Sequence, residues 1–251
     1  MLRTLLARGL DLLFPPRCPG CDTALGYAAL TGGASEAPLW CAGCTRLLRT
    51  PGLACPSCAQ PHLPWLDRPQ RSGRCDTCVR DPPPWEFALS RFELSGPAHD
   101  AVLRAKTPGG AWAGQCLGRD LARALSTSVW TTTEPTALVP IPLHDRVLAV
   151  RGFNQAEEIA RALAAATGSV VVNALQRRAR GRPQKGLSRV GRADNVRDAF
   201  SMAITPSALG DHRVVLVDDV ITTTATLRAA AAALRAAGVG TAGVVSVCRE
   251  P

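Results

Sequence analysis

The sequence predicts an α/β fold, a parallel sheet flanked by helices, preceded by a small cysteine-rich metal-binding region. Three observations carry that expectation. Beyond Pro82, Pro83 and Pro84, short β-branched runs alternate with alanine- and leucine-rich stretches of helical period. One of these runs, Val214 to Val217, is apolar throughout, which suits a strand buried on both faces of a parallel sheet. Eight of the ten cysteines fall into four Cys-x-x-Cys pairs, all in the first third of the chain. The proline triplet is a stiff boundary, so we expect one domain over 1–84 and a second over 85–251.

The pairs are Cys18/Cys21, Cys41/Cys44, Cys55/Cys58 and Cys75/Cys78. Gaps of 19 residues between the first two pairs and 16 between the last two match the zinc-ribbon template. A secreted disulfide scaffold is the competing reading, but the regular two-residue spacing favours two structural zinc ions held by thiolates. The short connection from Cys44 to Cys55 favours sequential ribbons over a cross-braced arrangement. Pro15, Pro16, Gly32, Gly33, Pro51, Pro56, Pro61 and Pro64 break this region into turns, leaving much of the folding work to metal. Cys116 and Cys248 stand alone and read as small core residues.

Met1 to Phe14 is amphipathic, with no continuous signal core and no cleavage site. No apolar run reaches the roughly 18 residues needed to span a bilayer. The expectation is a soluble cytoplasmic protein. Its net charge is +9 in 251 residues. Eight basic and two acidic residues lie between Arg177 and Asp198, so a polyanion belongs near that segment.

Along the second domain, strands are expected at Phe87 to Phe92, Ala137 to Ile141, Val170 to Val172, near Phe200, at Val214 to Val217 and at Ala242 to Val247. Helices are expected at Ala98 to Ala105, Ala111 to Leu125, Phe153 to Ala166 and from the threonines after Ile221 to Ala237, with Gly168 and Gly238 as stops. Ligands gather at the carboxyl ends of strands in such folds.

The most informative stretch is Arg213 to Thr226, RVVLVDDVITTTAT. Asp218 and Asp219 are poor strand formers that would repel each other if buried, so the strand is expected to stop at Val217 with both acids at its edge. Thr222, Thr223, Thr224 and Thr226 then lead into a helix. Free backbone N–H groups, hydroxyls and a positive helix end at one point make a phosphate site. With two acids upstream, it suits a phosphorylated ribose with magnesium. The plainer reading is a turn whose acids are solvated and whose threonines cap a helix.

Two other segments carry chemistry. In LVPIPLHDRVLAVRGFNQ a strand ends in prolines and a polar loop returns at a helix start. Arg151 beside Gly152 suits an anion, while Asn154 with Glu157 reads equally as a capping pair. In RRARGRPQKGLSRVGRADNVRDAF, Gly181, Pro183 and Gly186 argue for a loop. It is either a solvated flap or a basic lid over phosphates.

CPGC after LLFPPR, the four cysteine pairs, PPPW, Leu103 to Lys106, VPIPL, RGFNQ, Q-x-x-L-S ahead of R-x-x-N-x-x-x-A-F and VDDVITTTAT occur here in that order. In this order they resemble the ComF family of ComFC- and GntX-like proteins over nearly the whole chain. The acid pair and threonines are similar to the phosphoribosyl pyrophosphate motif of type I phosphoribosyltransferases. Thr224 stands where the type I phosphoribosyltransferases usually have glycine, and Gly181 where the ComF family usually has threonine.

The resemblance implies a double zinc ribbon joined to a type I phosphoribosyltransferase fold, and a role in natural competence and the handling of incoming single-stranded DNA. Asp218 and Asp219 would hold the ribose hydroxyls with magnesium. Val220, Ile221, Thr222, Thr223, Thr224, Ala225 and Thr226 would take the 5′-phosphate. Lys106, Arg151 and Gly152 would lie near the pyrophosphate, and Arg182, Lys185, Arg189 and Arg192 would reach in from the lid. Any reaction would displace pyrophosphate from the anomeric carbon through an oxocarbenium-like transition state, resting on the charges of Asp218, Asp219, Lys106 and Arg151.

Two functions follow as expectations. The first is a magnesium-dependent phosphoribosyltransferase with an unidentified acceptor. The second is a module that binds phosphoribosyl pyrophosphate, or the terminal phosphate of single-stranded DNA, without turnover and with DNA-uptake proteins as partners. Aromatics for base stacking are few, with Trp65, Trp85 and Phe153 as candidates. A purely structural zinc protein would leave the phosphate motif without a purpose.

Overall fold

The computed structural model describes residues 15–25, 38–62, 73–125, 134–178 and 199–251. The expected amphipathic segment at 1–14, Trp65, Gly181 and the four lid residues Arg182, Lys185, Arg189 and Arg192 lie outside them.

Five parallel strands form the main sheet, in the order β1-β7-β6-β2-β3. They are β1 (Phe87–Glu93), β2 (Thr136–Pro140), β3 (Val170–Val171), β6 (Arg213–Ile221) and β7 (Gly243–Arg249). β4 (Leu175–Arg177) and β5 (Phe200–Met202) make a separate antiparallel pair. The helices are α1 (Ala42–Leu47), α2 (Asp76–Arg80), α3 (Gly96–Ala105), α4 (Ala111–Leu125), α5 (Asp145–Arg151), α6 (Gln155–Thr167) and α7 (Ala225–Ala236). No helix among the described residues is long and apolar enough to cross a membrane.

Every residue of β2 and β7 is buried, as the continuous apolar runs require of strands with helices on both sides. On one face α3, α4 and α6 supply Ala101, Leu117, Leu121, Ile159 and Leu163 against Val215, Val217 and Val245. Gly118 lets α4 and α6 approach closely, since a Cβ there would lie 2.4 Å from the carbonyl oxygen of Ile159. On the other face α7 and the β4/β5 pair cover Val214, Leu216 and Val244 with Leu227, Leu234 and Phe200.

The chain leaves β2 outward to β3 through α6, and leaves β6 in the opposite direction to β7 through α7. The strand order therefore reverses between β2 and β6, and the loops after these two strands flank a crevice at their carboxyl ends. Such crevices are where open α/β sheets bind ligands.

The cysteine-rich segments pack directly on this body. Cys18, Leu25, Leu39, Trp40 and Cys44 belong to the same apolar cluster as Phe92, Ala98 and Leu117. The Trp40 ring meets Phe92 edge-on, with centroids 5.7 Å apart.

Three elements depart from expectation. β6 does not stop at Val217 but runs through both acids to Ile221, because β7 continues the ladder, pairing Asp218 with Ser246, Val220 with Cys248 and Ile221 with Arg249. The polar loop after β2 contains helix α5, none of whose residues is buried. β4 was not foreseen; its partner β5 is reached only across the basic segment.

Candidate phosphate crevice and two cysteine tetrads

The crevice is built by the end of β6. β2 pairs with β6 only as far as Val217, after which Ile141 N donates to Val217 O at 2.9 Å and the chain turns away. Residues 218–221 keep β7 on one side and leave the other edge to the crevice. The N–H of Asp219, without a strand to pair with, donates to Asp218 Oδ1 at 2.9 Å.

Asp219, 4% exposed, continues the side of Val215 and Val217 and meets Lys106 Nζ at 2.8 Å. Lys106 is carried there by the end of α3, so one predicted cation and one predicted acid come together from positions far apart in sequence. Asp218 keeps its proton well above the usual carboxylate range, first because it is withdrawn from water and second because the Asp219 charge stands beside it. A carboxylate in that position gains from any added cation.

Beyond Ile221, Thr222 and Thr223 are exposed and α7 begins at Ala225. The first turn of α7 has no side-chain cap. Its N–H groups and positive dipole end are available to an anion. Thr224 has φ −76°, so the residue that replaces the family's glycine needs no left-handed backbone. Its Oγ1 accepts from Arg228 Nε at 3.0 Å, and Arg228 Nη2 donates onward to Asp81 O at 2.6 Å.

The loop after β2 supplies the opposite wall. Gly152 ends α5 with φ +83°, a left-handed value that calls for glycine. Arg151 Nη1 bonds Gln155 Oε1. Asn154 is structural here: its Oδ1 accepts from Ala156 N at 3.1 Å as the α6 N-cap, and its Nδ2 donates to Ile141 O at 3.0 Å. Glu157 does not complete a capping box; its Oε1 accepts from Arg161 and Asn173.

The cysteines gather as two tetrads, Cys18/Cys21/Cys41/Cys44 and Cys55/Cys58/Cys75/Cys78, each with sulfurs within 4.8 Å of one another. The grouping is sequential. Contacts of 3.6 Å between Cys21 and Cys41 Sγ and 3.7 Å between Cys58 and Cys75 Sγ approach the edge of about 3.8 Å expected for a tetrahedron with metal–sulfur bonds of about 2.3 Å. Backbone N–H groups point at the sulfurs, as from Cys41 to Cys18 Sγ at 3.4 Å and from Cys75 to Cys55 Sγ at 3.3 Å. Burial pushes the Cys58 thiol up to about 12 and raises Cys44 and Cys78 as well. Cys21 goes down to about 6, chiefly through its hydrogen bonds with Thr23. Thiolates at such depth need a central cation, and both tetrads could hold zinc.

Sequence reading missed Arg249. It is 7% exposed, and its guanidinium bonds Cys58 O, Gln60 Oε1, Ile221 O, Thr222 O and Glu250 O. The one signal was a charge closing the otherwise uncharged strand GVVSVCR. It joins the second tetrad to the turn between β6 and α7.

A family model for the phosphoribosyl transferase domain matches residues 134–251. Competence protein F of Haemophilus influenzae is 31% identical over 168 residues, 66% of this chain and 73% of that protein. DNA utilization protein YhgH of Salmonella typhimurium is 29% identical over 216 residues, 83% of this chain and 89% of that protein. YhgH of Escherichia coli K12 is 29% identical over 219 residues with the same shares. With the phosphoribosyltransferase-type sheet, the paired acids and the cysteine tetrads in place, the chain belongs to the ComF family.

Proposed function

We propose that the crevice between β2 and β6 binds phosphoribosyl pyrophosphate with magnesium, and that the protein uses this ligand in handling single-stranded DNA. The observation that carries the reading is the join of β6 to α7. An acid pair with a free strand edge leads in four residues to exposed threonines and an uncapped helix start. Few ligands match a diol-binding acid pair and a phosphate-binding turn at that separation; a 5-phosphorylated ribose does.

Within this reading Thr222 to Thr226 take the 5′-phosphate through N–H groups and hydroxyls. Asp218 and Asp219 accept from the ribose hydroxyls. They also fit magnesium, because Asp218 is a desolvated carboxylate beside a second one. When bound, the metal would supply positive charge to the pyrophosphate. Lys106 would do the same from the α3 side and Arg151 from the α5 side. Each cysteine tetrad would hold one zinc ion, which would close the turns around it. The names of the relatives, Competence protein F and DNA utilization protein, support a role in DNA handling.

The test is isothermal titration of the zinc-loaded protein with phosphoribosyl pyrophosphate and magnesium, with pyrophosphate release followed as nucleobases and single-stranded DNA are added. Saturable binding is expected, lost in the double variant Asp218→Asn/Asp219→Asn with circular dichroism unchanged. Equal affinity in the double variant would overturn the site. Release of pyrophosphate would identify a transferase and its acceptor class, whereas binding without release would identify a ligand-gated DNA module.

A further inference from the structure

Nothing in the chemistry of a phosphoribosyl crevice calls for a metal knuckle beside it, yet one is attached there, by Arg249 directly and by Arg228 through Thr224 and Asp81. Arg249 lies at the last position of β7, paired in register with Ile221 of β6. Its Nε donates to Cys58 O at 3.2 Å and its Nη2 to Gln60 Oε1, both on the second tetrad's turn. Its Nη1 donates to Ile221 O at 2.8 Å and to Thr222 O, the last residue of β6 and the first of the turn before α7. The guanidinium is buried and its fork is spent on these oxygens, so each side fixes the position of the other.

The two ends have different reasons to move. Residues 222–224 lie between strand and helix and carry exposed side chains or partly exposed ones, so their own packing holds them weakly. On the Cys58 side, bonds from Ala88 N to Pro56 O and from Trp85 Nε1 to Ser57 O anchor the preceding residues and Ala59 packs in the core, while Cys55, Cys58 and Cys78 cluster with Cys75, so a closed tetrad adds to the hold on Cys58 O. Ala59 adds a left-handed residue at φ +59°, a conformation that persists only where the surroundings hold it. A zinc ion bound by four thiolates is a net dianion, which attracts the guanidinium and firms its bond to Cys58 O. The same cation separates that dianion from an incoming phosphate.

We propose that Arg249 is a positioning residue through which metal in the second tetrad sets the geometry of the phosphate-binding turn; among the described residues no side-chain bond runs from the first tetrad's turns to 221–224, Arg104 tying Pro19 and Gly20 to α3 instead. The inference rests on the ligand reading above only for its affinity arm; its structural arm stands without it. The second tetrad is thus a metal-dependent support of ligand binding, and a chain with only that zinc removed would be folded but poor at holding phosphoribosyl pyrophosphate.

The experiment is hydrogen–deuterium exchange on the full chain, reading amides of 221–226 against those of 244–247 in β7 as an internal reference. Arg249→Lys keeps the charge but not the fork. Turn amides are expected to exchange about tenfold faster while the reference amides and a zinc content of two are retained. Cys75→Ser, which breaks the second tetrad away from the Arg249 contacts, is expected to give the same local loosening with one zinc lost. In both variants the affinity for phosphoribosyl pyrophosphate with magnesium falls by about tenfold or more. Gln60→Ala, which removes one acceptor at a partly exposed position, keeps the reading testable if the other variants fail to fold, and should show about threefold faster turn exchange. Unchanged turn exchange in a folded Arg249→Lys or Gln60→Ala protein overturns the proposal, as does loosening that extends equally to 244–247. Loosened turn amides in a protein whose wild type binds no phosphoribosyl pyrophosphate would support the coupling and remove the ligand reading.

Discussion

The two cysteine tetrads share a motif and differ in how they are attached. The first is fused to the core by apolar burial: Cys18 and Cys44 lie in one cluster with Trp40, Phe92, Ala98 and Leu117. Buried Asp120 accepts from Trp40 Nε1 at 2.5 Å and Arg91 Nε at 2.7 Å, and Arg104 bonds the carbonyls of Pro19 and Gly20. The second is attached mostly by directional bonds, from Ala88 N to Pro56 O at 2.7 Å, from Trp85 Nε1 to Ser57 O at 2.8 Å, and from Arg249. Apolar burial is proportional to area and indifferent to angle, so it supplies stability. Hydrogen bonds give less net energy but fix positions. One tetrad is therefore expected to hold the fold and the other to hold the site.

The largest effect should come from Cys44→Ser. Metal binding at a structural thiolate site is worth about 10–16 kcal/mol, as much as the whole stability of a domain, and this cysteine is also core. The variant is expected to lose one zinc and to unfold or aggregate, seen by metal analysis and by the fluorescence of Trp40. A soluble variant with two zinc ions would end the distinction between the tetrads.

Asp120→Ala comes next. It strands the Trp40 N–H and leaves Arg91 without its buried partner, so denaturant melts should show a loss of about 3 kcal/mol. Gln60→Ala on the other tetrad should cost about 1 kcal/mol. Equal costs would mean that both tetrads are held by the same means.

The site that the second tetrad supports should itself be electrostatically unfavourable before ligand arrives. Burial and the Asp219 charge raise the Asp218 proton affinity above its ordinary value of 3.8. The native state therefore binds that proton more tightly than the unfolded chain does. Its contribution to stability is present below 3.8 and lost as pH rises through the native value, so in alkaline solution this carboxyl group is a net cost to the native state. Asp218→Asn should raise the melting temperature at pH 8 by about 2 °C or more, with the gain shrinking in acid. An unchanged or lower melting temperature at pH 8 would show that the carboxylate is not under strain.

What the sequence disclosed and what it hid divide along the same physical lines. The β6–α7 join and the central strands were legible because continuous β-branched runs and an alanine-rich helix with Leu227 and Leu234 on one face leave periodic traces. Sequential tetrads were legible from spacing alone. Helix α5 was not, since Val147, Leu148 and Val150 are exposed and no buried face marks its period. The extension of β6 through Asp218 and Asp219 depended on a ladder with β7 and on Lys106, neither of which is local. Arg249 was hidden most completely. Its partners at Cys58 and Gln60 stand some 190 positions away, and a lone arginine near the end of a chain has no pattern to betray it.

The smallest effect is expected at Thr224, within the turn that Arg249 steadies. The family's glycine would suggest a position that forbids a side chain, but φ is −76° and the hydroxyl is held by Arg228 Nε at 3.0 Å. Thr224→Gly should therefore cost only a few tenths of a kcal/mol, the usual difference between threonine and glycine at the start of a helix. Affinity for phosphoribosyl pyrophosphate should change by less than about threefold, because the Thr224 side chain is engaged with Arg228 and in the proposed site the phosphate would still have the backbone N–H groups common to both variants. A gain of about tenfold would instead show that the threonine methyl crowds the phosphate. The turn would then be limited by this side chain, and its support by the second tetrad would matter less than the comparison of the two tetrads requires.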